Sequence, residues 1–136
     1  MKLRHGLLLV AALAATVLAA GCGGGAKKDE LLVGVYGSLT GGDATFGQST
    51  KNGVELALAE LVAANKGTIG GLAVRTVVED DQGKAEEAAT VVQKLVNQDQ
   101  VLAVIGEVAS SRSIAAAPIC QSAGTPMISP SSTNPK

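Results

Sequence analysis

Four short apolar runs divide this chain, and their spacing leaves few folds open. Leu31-Leu-Val-Gly-Val-Tyr36, Leu72-Ala-Val-Arg-Thr-Val-Val78, Val101-Leu-Ala-Val-Ile105 and Thr125-Pro-Met-Ile-Ser129 have the length and β-branched content of strands. Between them the period changes. Val54, Leu58, Leu61 and Val62 recur at helical spacing from Gln48 until the pattern fades at Asn65-Lys-Gly67. Ala88, Val91, Val92, Leu95 and Val96 mark a second helix, and a third is predicted over Ser111 to Ala123. The order βαβαβαβ implies an α/β fold with a parallel sheet, helical cover and right-handed crossovers. The first run is continuously apolar, as in a strand buried on both faces. Ser38 to Gly47, which carries Asp43 and Phe46, reads as a loop. Pro118 falls within the third helix and predicts either a kink or a later helix start, because proline removes one helical hydrogen bond.

The first residues have a different character. Lys2 and Arg4 precede an uncharged, nearly all-apolar stretch from Gly6 to Ala20, the anatomy of an export leader. Leu18-Ala-Ala-Gly-Cys22 resembles a bacterial lipobox, with Ala19 where a branched residue is usual. Residues 1–21 are therefore expected to be a lipoprotein signal and Cys22 the lipidation site, which would anchor the protein to a membrane. The alternative is an ordinary secretory leader that happens to hold a cysteine. Residues 22–30, rich in glycine and charge, suit a flexible tether, and residues 31–136 are long enough for one small core. The chain has two cysteines. With Cys22 lipidated, Cys120 has no partner, and it is expected to be a buried small hydrophobe.

Composition excludes several chemistries. The sole histidine, His5, lies in the leader, so the folded part has no histidine for a nucleophile system or a metal site. The formal net charge is −1, more acidic once Lys2 and Arg4 are removed, and no Lys/Arg cluster exists. Nucleic acid is accordingly not an expected partner. No cofactor is implied, and there is no G-x-S-x-G elbow, so an enzyme of flavodoxin-like or hydrolase type is disfavoured.

Three clusters remain as candidates. Ser110-Ser111-Arg112-Ser113 follows a strand and opens a helix, where serines cap free N-H groups and where those same N-H groups can hold an anion. The local sequence leaves both uses open. Ser131-Ser132-Thr133, bracketed by Pro130 and Pro135, could place hydroxyls against a small polar ligand or form an ordinary turn. Glu79-Asp80-Asp81 is expected to be an acidic loop facing solvent. Ligands in parallel sheets sit beyond the strands' carboxyl ends, so the two hydroxyl clusters could face one crevice.

Several blocks then occur in order: Val33-Gly-Val-Tyr-Gly-Ser-Leu-Thr-Gly41, Phe46-Gly47, Lys51-Asn-Gly-Val-Glu-Leu-Ala57, Val77-Val-Glu-Asp-Asp-Gln82, Ala103-Val-Ile-Gly106, Pro126-Met-Ile-Ser-Pro130 and Thr133-Asn-Pro135. Together they resemble the extracytoplasmic solute-binding proteins of branched-chain amino acid ABC transporters, of the Leu/Ile/Val-binding type with a type I periplasmic-binding-protein fold. The resemblance implies a two-lobed receptor without catalysis that closes on an amino acid and delivers it to an inner-membrane permease. It implies that Ser110 meets the ligand's α-carboxylate, that Ser131 and Thr133 serve its carboxylate and ammonium, and that Phe46 lies over it. Gly42 stands where many members carry proline, and Lys84 and Ala109 stand where some carry a cysteine pair. Relatives continue into a second lobe, so residues 31–136 are expected to be an incomplete first lobe, marginally stable and weak in binding alone. Other implied possibilities are an amide or amino-acid sensor of the same fold, or a non-functional truncated product.

Overall fold

A computed structural model describes residues 30–135. The leader, Cys22 and the tether up to Asp29 lie outside the described residues. The elements run β1 (Glu30–Gly37), α1 (Ala44–Ala64), β2 (Ala73–Asp80), α2 (Ala85–Asn97), β3 (Ala103–Ile105), α3 (Ser110–Ala123) and β4 (Met127–Ile128). The strands form one sheet in the order β2-β1-β3-β4, and every pairing is parallel. The expected βαβαβαβ order is therefore the observed one.

The apolar first run is the central strand. β1 pairs with β2 from Glu30↔Ala73 to Gly37↔Asp80 and with β3 from Val33↔Ala103 to Val35↔Ile105. The chain thus leaves β1 towards one side and returns past it to β3. With right-handed crossovers this sends α1 to one face of the sheet and α2 and α3 to the other. The contacts agree: Tyr36 and Val104 from the sheet share a core with Val92 and Leu95 of α2 and Ala116 and Cys120 of α3. Cys120 is a buried free thiol, as expected, and burial pushes its pKa up.

Three boundaries differ from the sequence pattern. α1 starts at Ala44 rather than near Gln48, because its first turn presses onto the end of β1: a Cβ on Gly47 would lie 2.0 Å from the Ser38 carbonyl oxygen. Glycine there lets the helix begin in contact with the sheet. α3 starts at Ser110 and continues through Pro118, so Pro118 does not delay the helix. The last run contributes only Met127 and Ile128 to the sheet, and Pro126 uses its carbonyl to accept the Val104 N-H at 2.9 Å.

Candidate functional site

The order in which strands are added to the sheet reverses between β1 and β3, and the loops after these two parallel strands meet at the sheet's carboxyl edge. Gly106 makes the approach possible. Its φ is 133°, and a Cβ there would fall 2.0 Å from the Tyr36 carbonyl oxygen, so only glycine lets the β3 loop cross the end of β1. Glu107 follows and turns its side chain inward. Glu107 Oε1 accepts the Ser38 N-H at 3.2 Å and lies 3.1 Å from Ser38 Oγ. Its Oε2 accepts the Ala109 N-H at 2.6 Å.

A buried charge cluster grows from this contact. Arg112, on the first turn of α3, places Nε 3.0 Å from Glu107 Oε2, close enough for charge attraction although not aligned as a hydrogen bond. Its Nη2 meets Asp43 Oδ2 at 2.8 Å and its Nη1 donates to the Gly83 carbonyl at 3.2 Å. Burial lowers the Arg112 pKa, and the interactions with the Glu107 and Asp43 carboxylates more than offset this, so the net direction is up. Asp81 is fully buried beside the cluster, with Oδ1 accepting the Gly83 N-H at 2.8 Å and lying 3.0 Å from Ser38 Oγ. Burial pushes the Asp81 carboxyl up, reinforced by the Glu107 charge and opposed by its hydrogen bonds and by Arg112.

Proton counting explains how two carboxylates share one serine. Ser38 has a single hydroxyl proton, so it can donate to only one of them. A protonated Asp81 donating to Ser38, which in turn donates to Glu107, satisfies both contacts. Asp81 Oδ2 has no hydrogen-bond partner and lies 4.0 Å from Arg112 Nε.

This overturns the expectation of a solvent-facing acidic loop at Glu79-Asp80-Asp81. Glu79 and Asp80 lie in β2, Glu79 pairs with Lys94, and Asp81 is interior. Asp80 organises the β1 loop by accepting the Leu39 N-H at 2.8 Å and the Thr40 hydroxyl at 2.6 Å. Burial raises its pKa, and these bonds with the Gln82 N-H bring it below the usual range.

The β4 loop docks onto the same turn. The Glu107 carbonyl oxygen receives Ser129 Oγ at 2.6 Å, Ser132 Oγ at 3.0 Å and Ser113 Oγ at 3.1 Å. Ser113 and Ser132 also lie 2.6 Å apart, so one hydroxyl donates to the carbonyl and the other donates to that hydroxyl. Ser131 donates from Oγ to the Val108 carbonyl at 3.2 Å. Ser110 Oγ accepts the N-H groups of both Thr133 and Asn134 at 3.2 Å, which leaves its own proton to donate.

Three of the four residues expected at the ligand are therefore neighbours. Ser110, Ser131 and Thr133 sit together where the β3 and β4 loops meet. Ser110 is not a helix cap: Ala109 occupies that position without a side-chain hydrogen bond. Among the described residues, no acceptor meets the N-H groups of Ser110 and Ser111, the free donors of a helix start. Phe46 stands on the first turn of α1 rather than in a loop, 63% exposed. The sequence alone singles out neither Glu107 nor Ser38, and it gives Arg112 no role beyond membership of the Ser110–Ser113 cluster. The available signal for Glu107 and Arg112 is a lone acid and a lone arginine within a small-residue stretch directly after a strand.

The family described as "Periplasmic binding protein" matches residues 30–136. The chain belongs to that family. It is a solute-binding and extracytoplasmic family, not a family of enzymes. The chain is 39% identical over 112 residues to "Leu/Ile/Val-binding protein homolog 2" of Brucella abortus, covering 82% of this chain and 29% of that protein. Among solved structures it is similar to the branched-chain amino acid transporter substrate binding protein LivJ of Streptococcus pneumoniae in complex with isoleucine, with a TM-score of 0.74 and 35% identity over 78% of this chain and 30% of that one. It is also similar to the leucine binding protein LivK of Thermotoga maritima, with a TM-score of 0.71 and 37% identity over 77% and 29% of the two chains. This periplasmic binding protein chain thus spans less than a third of the length of these relatives, and its parallel α/β sheet has the type I periplasmic-binding-protein fold.

Proposed function

We propose that the protein is the substrate-binding component of an ABC transporter for branched-chain or related amino acids, exported and anchored through a lipid on Cys22. It captures its ligand between two lobes and delivers it to the permease. Ser110 and the open N-H groups at the start of α3 take the α-carboxylate, Ser131 and Thr133 complete the carboxylate and ammonium contacts, and Phe46 covers the ligand. The observation that carries this reading is the junction of Ser110 with Thr133 and Asn134, which brings an anion-binding helix start and a second hydroxyl loop to one edge. Aligned peptide dipoles and free N-H groups favour a carboxylate there.

Calorimetric titration of the complete two-lobed protein with isoleucine, leucine and valine tests the reading, and low-micromolar or tighter binding is expected there, whereas residues 30–136 alone are expected to bind weakly. Ser110→Ala should weaken it roughly tenfold or more, the scale of one hydrogen bond to a charged group. Failure of every amino acid to bind would overturn the assignment.

A further inference from the structure

We propose that Glu107 is the positioning residue of this site: its buried carboxylate and its main-chain carbonyl fix the loops after β1, β3 and β4 so that Ser110, Ser131 and Thr133 face one ligand. The proposal rests on the reading of those three residues as ligand groups. Glu107 is 1% exposed and so acts through others. Its Oε1 holds the β1 loop through the Ser38 N-H. Its Oε2 holds the entry to α3 through the Ala109 N-H, one residue before Ser110. Its carbonyl oxygen gathers Ser129 and the Ser113–Ser132 pair, immediately before Thr133. One residue thus joins three loops that are far apart in sequence, which is the support a binding constellation needs if it is to be held within about 0.5 Å of its working geometry.

The chemistry requires a carboxylate. Both oxygens face N-H donors: Ser38 N-H on one side, Ala109 N-H and Arg112 Nε on the other. A glutamine presents one oxygen and one NH2 group, so either amide orientation sets a donor against a donor. The loop must then shift on one side, although the side chain keeps its volume. Arg112 also offsets the Glu107 charge, which would otherwise sit beside the helix start intended for an anion.

The test is Glu107→Gln in the complete two-lobed protein, with isoleucine as probe, titrated well below the melting temperature of each variant so that only folded protein is read. Lys94→Met, which removes the Glu79 and Asp99 contacts outside the site, is the control for a purely stabilising side chain. The expected result is an isoleucine Kd raised roughly tenfold in Glu107→Gln and unchanged in Lys94→Met, even where both melt earlier. A folded Glu107→Gln protein that binds like the unmodified chain overturns the proposal. If Glu107→Gln does not fold, Ser129→Ala, which removes the hydroxyl that donates to the Glu107 carbonyl at 2.6 Å, is titrated under the same criteria. If the unmodified chain binds no amino acid, the functional reading fails, and amide hydrogen exchange then decides this proposal separately. Faster exchange at residues 109–113 and 132–134 in Glu107→Gln, with α2 unaltered, supports it, and unchanged exchange overturns it.

Discussion

On the α2 and α3 face of the sheet, Val92 and Leu95 are fully buried against Tyr36 and Val104, whereas on the opposite face α1 buries only Gly47 and leaves Leu56 and Leu61 exposed. The cause is topological. Two helices cover the first face, and on the second, among the described residues, only α1 does. A groove of about 590 Å³ opens beside α1, lined by residues such as Val33, Val54, Leu58, Leu61, Val74 and Ile105. The two helical layers are therefore held by different forces. α2 and α3 are held along their length by apolar burial. α1 is held at its N-terminal end, by Gly47 against Ser38, by the Asp43–Arg112 pair and by Gln48 Nε2 donating to the Leu39 carbonyl at 3.1 Å.

That difference can be broken from either side. The largest effect is expected at Arg112, the side chain that links α3 to the entry of α1. Arg112→Met should cost about 3–5 kcal/mol in urea unfolding, the scale for stranding buried carboxylates. Hydrogen exchange should rise first in the opening turn of α1. Next comes Leu95→Ala, expected to cost about 3 kcal/mol from lost burial and a cavity, against about 1 kcal/mol for the half-buried Leu58→Ala. Equal costs at the two leucines would mean that the groove is closed in solution and that the faces are alike.

The smallest effect separates two adjacent acids. The folded-state pKa of Asp80 is lowered, so its contribution is present above the ordinary carboxylate pKa and is lost as pH falls through the folded value. That of Asp81 is raised, so its contribution is present below the ordinary value and fades as pH rises through the folded one. Asp80→Asn should therefore flatten the acid side of the stability profile, and Asp81→Asn the side above it, each by about 1 kcal/mol. Unfolding midpoints measured across pH check both signs.

Element order was legible in the sequence because the strand runs and the first two helices carry their own patterns, and Cys120 was legible because a cysteine without a disulfide partner packs as a small hydrophobe. The acidic run was misread for the converse reason. The partners that bury Asp81 are Ser38, 43 positions away, and the Arg112 and Glu107 charges, and no local pattern shows that these converge. Glu107 was missed because its role depends on Gly106 carrying the chain over β1, a close approach visible only once the strands are side by side. The neighbourhood of Ser110 and Thr133 was anticipated from strand ends, whereas the displacement of Ser110 from cap to acceptor depended on where the helix begins.

Tyr36 has one more consequence. The chain contains one tyrosine and no tryptophan, and that tyrosine is fully buried at the end of the central strand, with its hydroxyl 3.8 Å from the Met127 sulfur. The tyrosine absorption of this chain thus comes from one ring placed between the dry core and the carboxyl edge of the sheet. Its emission and near-ultraviolet dichroism report, without any label, whether β1, β3 and β4 are assembled.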